Sequence, residues 1–404
     1  ARAKGMDVEK TLERPWSQVL RADIILPAVA ISTFLIIYYL AVGFFPVFFQ
    51  TVFGYSQSKA NSLGNWFWGV DAAMLLIVGV LSDRVRVRKP FMVLGAVIAI
   101  VFTTIFTIDS VNHATSFGTF RLLMIGIAVG LATAFAPWMA AFTETVERHN
   151  PALIAHGLAV WGWIVRIFIA TTIFFVPHVV TTVTPLVENG PAVKAILADP
   201  TPLATPVGPT TIGKVATVAS AHPAVIAELT GITARDGAVI ASLQAHPPIA
   251  KALAAAQASG AKPTPAQLAV VRTALGPAVF AQLVEPRTQQ DLAYLSTTAP
   301  KALGPANFAA LSAPTPKLHA ELTTLATVGP GLQRAASREP KQWQKYFLIA
   351  IAGEIIFVPL IFLMAGFWDP RKAKRAEEEH EARIAAELAA LVTQEAHERE
   401  AALV

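Results

Sequence analysis

Three ionisable residues lie near the middle of long stretches that carry almost no other charge: Asp71, Arg166 and Glu354. A carboxyl group resists ionisation in apolar surroundings, so Asp71 and Glu354 are candidates to take up and release a proton. Arg166 keeps its charge in almost any environment, so it could hold an anionic solute or neutralise a carboxylate. The three residues predict either a site for a proton and a solute or a structural salt bridge from Arg166 to Asp71 or Glu354, and the sequence leaves both open.

Aromatic and amide side chains cluster along the chain near these charges. Trp and Tyr can line a wet cavity, because each combines an apolar ring with a polar tip. The alternative for each of them is packing between helices or against lipid. The candidates for a substrate cavity are Trp66, Asn65, Trp68, Trp138, Trp163 and Tyr38.

The stretches around these residues have the composition and length of membrane helices. The chain is 54% hydrophobic and only 15% charged, whereas a soluble domain carries about 25% charged residues. About 20 apolar residues span a bilayer as a helix, and six windows reach that length. They predict an all-α, polytopic membrane protein with spans at 24–50, 62–82, 90–108, 121–143, 153–179 and 345–367.

The densest basic run, "GVLSDRVRVRKPF" at 79–91, joins the second and third predicted spans. Lys and Arg in short loops favour the cytoplasmic side of a membrane. Placing this loop inside also places both termini and residues 144–152 inside, and each of those segments carries basic residues. The predicted location is therefore the cell (inner or plasma) membrane with cytoplasmic termini. The net charge of +5 follows from this topology and predicts no nucleic-acid partner.

The order of residues in this loop is more specific than its charge. Gly79, Asp83-Arg84 and Arg88-Lys89 resemble the loop signature of the major facilitator superfamily, G-x-x-x-D-R-x-G-R-[RK]. The sequence departs from that signature at Arg86, where a second Gly is usual, and at Val87, where an Arg is usual. The resemblance also gives a role to the acidic end of the fourth span, which would pair with the loop. The alternative is a loop that only sets topology, and the residues concerned are Gly79, Asp83, Arg84, Arg88, Lys89, Glu144, Glu147 and Arg148.

The resemblance covers residues 22–180 and 344–370 and implies secondary transport of a small organic solute by alternating access. We expect proton coupling through Asp71 or Glu354, as in a symporter, although the sequence leaves symport, antiport and uniport open. The expected partners are the lipid bilayer, the solute and the proton. Residues 1–21 resemble the end of a charged cytoplasmic linker. We therefore expect the C-terminal six-helix half of a facilitator-type bundle, with an N-terminal half missing from this chain; a natural six-helix dimer is the alternative.

A long segment, 181–343, separates the last two spans. The motifs "GPAVKAIL", "HPAVIAEL", "HPPIAKAL", "GPAVFAQL" and "GPANFAAL" recur in it, each with a proline suited to the first turn of a helix. They predict a small α-helical domain outside the cytoplasm. The predicted division is a linker at 1–21, helices at 22–180, the insert at 181–343, a helix at 344–368 and a charged helical tail at 369–404.

The sequence contains no Cys, and we identify no metal cluster, phosphate loop or nucleophile arrangement in it. We therefore predict no cofactor, no metal site and no enzyme activity. The alternative function is a membrane-anchored interaction module, in which the helices are scaffold and the insert binds a cell-envelope partner.

Overall fold

The computed structural model describes residues 15–149, 153–259, 264–364 and 366–376, with isolated residues as far as 389. These residues are almost entirely helical, and one two-stranded hairpin is the only sheet among them. The prediction of an all-α protein is therefore confirmed at that level. Most of the predicted linker and tail lies outside the described residues. The chain divides into two compact units, 1–187 with 335–404 and 188–334, which we call the membrane unit and the insert unit.

Among the described residues, the membrane unit contains eight helices before residue 180 and shares the long last helix. They are α1 Pro15–Val19, α2 Ala22–Phe34, α3 Ile36–Gly43, α4 Phe45–Thr51, α5 Gln57–Val85, α6 Lys89–Asp109, α7 Phe117–His149, α8 Ile154–Val179 and α18 Pro316–Leu363.

Five described helices, α5, α6, α7, α8 and α18, are long and apolar enough to cross a membrane. Two bent pairs also pass that test when each is counted as one span, namely α2 with α3 and residues 212–221 with 223–245. The chain is therefore a membrane protein with several candidate spans. The last predicted span, 345–367, is too long at its end, because α18 stops at Leu363.

The first predicted span, 24–50, is not one helix. It breaks at Leu35, where α2 and α3 meet at a bend of 49°, and again at Phe44. Pro46, in the first turn of α4, has no N–H and cannot continue the preceding helix, which explains the second break. At the first break the hydroxyls of Ser32 and Thr33 donate to backbone carbonyls one turn back, a pattern that bends helices.

Small residues allow α6 and α7 to approach closely. A Cβ added at Gly95 would overlap the backbone of Ala134, and one added at Gly130 would overlap the backbone of Ala99. Such contacts are typical of helices packed inside membranes. Beside this crossing lies an aromatic core whose buried rings include Phe45, Phe48, Phe106, Trp343 and Phe347.

The insert unit is a set of short helices with one antiparallel hairpin, which the sequence analysis did not predict. Pro223, Pro247, Pro277 and Pro305 of the repeated motif each begin a helix, whereas Pro191 lies inside one. The remaining elements are α9 Val183–Leu197, β1 Pro202–Thr205, β2 Gly208–Thr211, α10 Ile212–Ala221, α11 Pro223–Ala245, α12 Pro247–Ser259, α13 Pro265–Leu275, α14 Pro277–Leu283, α15 Pro286–Ala293, a π-helical turn Tyr294–Thr298, α16 Ala299–Leu303 and α17 Pro305–Ser312.

Candidate solute site

A cavity of about 300 Å³ lies within the membrane unit, bordered by α3, α5, α7 and α8. Its volume is at the lower end of the range for ligand pockets, about 300–1,000 Å³. The break at Leu35 reaches its wall, so the discontinuous first span contributes directly to the site. The cavity is lined by Leu35, Tyr38, Tyr39, Val42, Gly43, Asp71, Leu75, Leu131, Phe135, Trp161, Val165, Ile169 and Ile173.

Asp71 is the only formally charged residue in this lining. The residue is 7% exposed, and we find no hydrogen bond or ion pair to its carboxyl group from any described residue. A buried carboxylate without a partner is costly, because it gives up water and gains nothing in exchange. The group must therefore be neutral, be hydrated from the cavity that it borders, or have a partner from outside the described chain.

Aromatic rings line the same cavity as this carboxyl group. Tyr38, Tyr39, Phe135 and Trp161 line the cavity, and four lining residues of α8 recur every fourth position from Trp161 to Ile173. The indole N–H of Trp161 and the hydroxyl of Tyr39 are buried without a hydrogen-bond partner in the described structure, although Ser32 lies near the Tyr39 hydroxyl. The cavity thus offers aromatic rings and one acidic group, while these two polar atoms are enclosed by protein.

Arg166 does not form the salt bridge that the sequence left open. Its side chain is exposed, and its guanidinium donates to the carbonyl of Gly162 one turn back, at 2.8 Å. Neither Asp71 nor Glu354 is among its partners in the described chain, and Arg166 does not line the cavity. The reason is helical spacing: Trp161, Val165 and Ile169 occupy the face of α8 that lines the cavity, and Arg166 lies beside that face.

Glu354 occupies a different environment. It is completely buried on α18, and its Oε1 accepts a hydrogen bond of 2.8 Å from Thr103 of α6. Its Oε2 has no partner among described residues. The neighbouring Gly353 packs against the carbonyl of Thr33, so backbone rather than solute fills the space beside it. Glu354 does not line the cavity.

Of the predicted substrate-cavity residues, only Tyr38 lines the cavity. Trp68 lies behind it, with ring centroids 5.0 Å apart. Asn65, Trp66 and Trp163 are exposed instead, because they project from outer faces of α5 and α8. Trp138, in contrast, is fully buried, and its indole N–H donates to the Pro27 carbonyl, so it does not line the cavity either.

The basic loop and the end of α7 are brought together by Arg88. Its guanidinium bonds the carboxylate of Asp83 and, at 2.8 Å, that of Glu144 on α7. It also donates to the hydroxyl of Ser82 at 3.0 Å. The unusual Arg86 adopts φ 60°, the left-handed conformation that a Gly would take most readily. The loop therefore turns in a manner that favours Gly, although the residue is Arg.

The other predicted loop residues lie around this ion pair. Lys89 is buried and its ammonium donates to the Phe362 carbonyl at 3.3 Å. Arg84, Glu147 and Arg148 are exposed. Gly79 makes no close approach, because a Cβ added there would meet nothing within 4 Å. The expectation that Gly79 lets helix ends approach therefore finds no support within this chain.

Glu339 was missed by the sequence analysis. It is completely buried near the beginning of the membrane part of α18, where Thr51 and the indole of Trp343 both donate to its Oε1. Its sequence neighbours are Arg338, Pro340 and Lys341, which are typical of a solvated segment. The only signal was Trp343, one helical turn away on the same face.

Comparison of the chain with protein-family models, with curated proteins and with solved structures gives no match. Function is therefore inferred from the residues and geometry described above.

Proposed function

We propose that the protein is a secondary active transporter that moves a small organic solute by alternating access, with proton coupling through Asp71. The observation that carries this proposal is the cavity in the membrane unit with one unpartnered, buried carboxyl group in its wall. A protein that is only anchored in a membrane has no use for such a group, since burying it costs about 2.5–3.5 kcal/mol on insertion scales.

The choice of Asp71 over Glu354 follows from access. A proton carrier must exchange with water in at least one conformation, and Asp71 already borders an open volume. Glu354 is enclosed by protein and bonded to Thr103. In this proposal Glu354 joins α18 to α6 and does not carry the proton.

The arrangement around the transport site also fits a half of a facilitator-type bundle. The most apolar part of α7 is 67% buried, but those of α5 and α8 are only 22% buried. The exposed faces of α5 and α8 leave room for a second six-helix bundle beside the cavity. The ion pair from Arg88 to Asp83 and Glu144 would hold the cytoplasmic helix ends together in one conformation and release them in another.

Transport by the protein in proteoliposomes tests the proposal. An imposed proton gradient should drive accumulation, beyond that in protein-free liposomes, of at least one of three labelled aromatic probes: the cation benzyltrimethylammonium, the anion benzoate or neutral benzyl alcohol. A protonophore should abolish this excess. The Asp71→Asn variant should lose accumulation, while Glu354→Gln keeps it. The proposal fails if no probe accumulates and none of them drives proton flux.

The predicted topology has a separate test, since the chain has no Cys. Single cysteines at Ser220 and Arg84, both exposed, should label from opposite sides of the membrane. With an impermeant reagent added outside, labelling at position 84 would contradict the cytoplasmic loop, and absence of labelling at position 220 would contradict an extracytoplasmic insert.

The alternative function is an interaction module, in which the insert unit binds a partner. Its favouring observation is that residues 188–334 form a compact unit of their own. Deleting this unit would distinguish the two functions. A transporter would still bind its solute in the membrane unit, whereas an interaction module would no longer bind its cell-envelope partner.

A further inference from the structure

We infer that the solute of this site is a small organic cation, which binds with its positive charge against Asp71 and its apolar groups against the surrounding rings. The inference rests on the proposed function for the same cavity and adds the substrate class. It also argues against an anionic solute held by Arg166, which the sequence had left open.

The first step is the charge balance of the cavity. Asp71 supplies a negative charge, and the lining contains no Lys, Arg or His. Arg166 bonds the Gly162 carbonyl outside the lining. An anion would therefore enter a site with no cationic group and would meet Asp71. A neutral solute would leave an ionised Asp71 without a partner, whereas a cation supplies the positive charge that the described lining lacks.

The second step is the chemistry of the walls. Tyr38, Tyr39, Phe135 and Trp161 contribute aromatic rings to the lining of the cavity that Asp71 borders. Aromatic faces attract cations through their quadrupole, and cages of such rings recognise quaternary ammonium groups. The other lining side chains are aliphatic, so they suit the carbon substituents of an amine rather than the hydration shell of a metal ion. The volume of about 300 Å³ limits the solute to a small molecule.

The third step concerns the proton. One carboxylate can be neutralised by a proton or by an organic cation, but the two compete for the same charge. Binding of the cation to a protonated Asp71 must release that proton to water, so charge and atoms balance. A site with such mutually exclusive occupancy supports exchange of cation for proton, rather than symport.

Equilibrium binding tests the inference without requiring transport. The purified full chain in nanodiscs is titrated with labelled benzyltrimethylammonium, whose permanent charge does not change with pH. We expect saturable binding that is displaced by choline but not by 3,3-dimethylbutan-1-ol, its uncharged isostere. Asp71→Asn should weaken binding by about 100-fold, as expected for loss of a buried charge partner.

Three variants separate direct contact from misfolding. Glu354→Gln removes another buried carboxylate, which lies outside the cavity, and should bind as the wild type does. Trp161→Leu should weaken cation binding by about tenfold through loss of a ring face, while Trp161→Phe restores most of it. Binding that Asp71→Asn leaves intact, or equal displacement by the uncharged isostere, would overturn the inference.

Failure of this inference differs from failure of the proposed function. Absence of cation binding together with proton-driven accumulation of benzoate or benzyl alcohol would reject the cation and retain the transporter. Cation binding without any transport or proton flux would retain the cation and reject the transporter.

Discussion

Asp71 and Glu354 are both buried carboxyl groups in the membrane unit, but their surroundings differ in what they leave open. Asp71 borders a cavity of about 300 Å³ and makes no hydrogen bond or ion pair with any described residue. Glu354 borders packed protein, with Thr103 on one oxygen and the backbone contact of Gly353 beside it. Both groups cost free energy to bury, but only the first leaves space for a ligand to repay it. Burial alone therefore does not distinguish a candidate ligand-binding carboxylate from a structural one, whereas burial beside an empty cavity does.

The largest effect on stability is expected from adding one methyl group in each region. A Cβ at Gly353 would overlap the Thr33 carbonyl, but a Cβ at Gly43, in the wall of the cavity, would meet nothing within 4 Å. Gly353→Ala should destabilise the protein by about 1–3 kcal/mol, as overpacking does, and Gly43→Ala should not. Thermal unfolding of the two variants in detergent measures the difference. Equal midpoints for the two variants would show that both regions have similar free space.

A smaller effect is expected from the polar partners. Thr103→Val removes the hydrogen bond to Glu354 and should lower stability by about 1 kcal/mol. Asp71→Asn removes a buried group that has no partner in the described chain, so it should leave thermal stability unchanged or raise it. The same thermal assay without ligand compares them. A clear loss of stability in Asp71→Asn would mean that its carboxylate has a structural partner after all.

The smallest effect concerns a carboxylate that has a fixed cation. In the insert unit, Asp199 bonds Lys317 at 2.6 Å, and this contact with that from Thr201 lowers the pKa of the Asp199 carboxyl. A lowered pKa stabilises the fold above the unfolded value, about 3.9, and that stability is lost as pH falls below it. Lys317→Met should therefore reduce the loss of thermal stability between neutral pH and pH 3. An unchanged pH profile would show that the ion pair contributes nothing.

The comparison also shows what the sequence could predict. Length and apolarity were sufficient for an all-α membrane protein, because the cost of exposing backbone groups to lipid leaves few alternatives. Hydropathy did not predict the break at Leu35, since that break depends on local hydroxyl bonds and on the approach of α18. The predicted helix end at 367 was also too late, since α18 ends at Leu363.

For the site, the sequence identified Asp71 and Tyr38 because a charge or a phenol in an apolar span is conspicuous. It could not choose among the tryptophans, because the face that each presents depends on how α5 and α8 pack. Trp161 and Trp163 are two residues apart and lie on different faces, one in the cavity wall and one exposed. Glu339 escaped notice because its sequence neighbours are charged, although it is fully buried in the fold.

The central claim is that one carboxylate, Asp71, binds either a proton or an organic cation. The most direct measurement is proton release on adding benzyltrimethylammonium to the purified protein in weakly buffered solution, from pH 8 down to pH 4. We predict that release rises toward about one proton per cation bound at acid pH, with a matching loss of cation affinity, by linkage. Both effects should vanish in Asp71→Asn and persist in Glu354→Gln. Cation affinity that is independent of pH over this range, or proton release that survives in Asp71→Asn, would contradict the account.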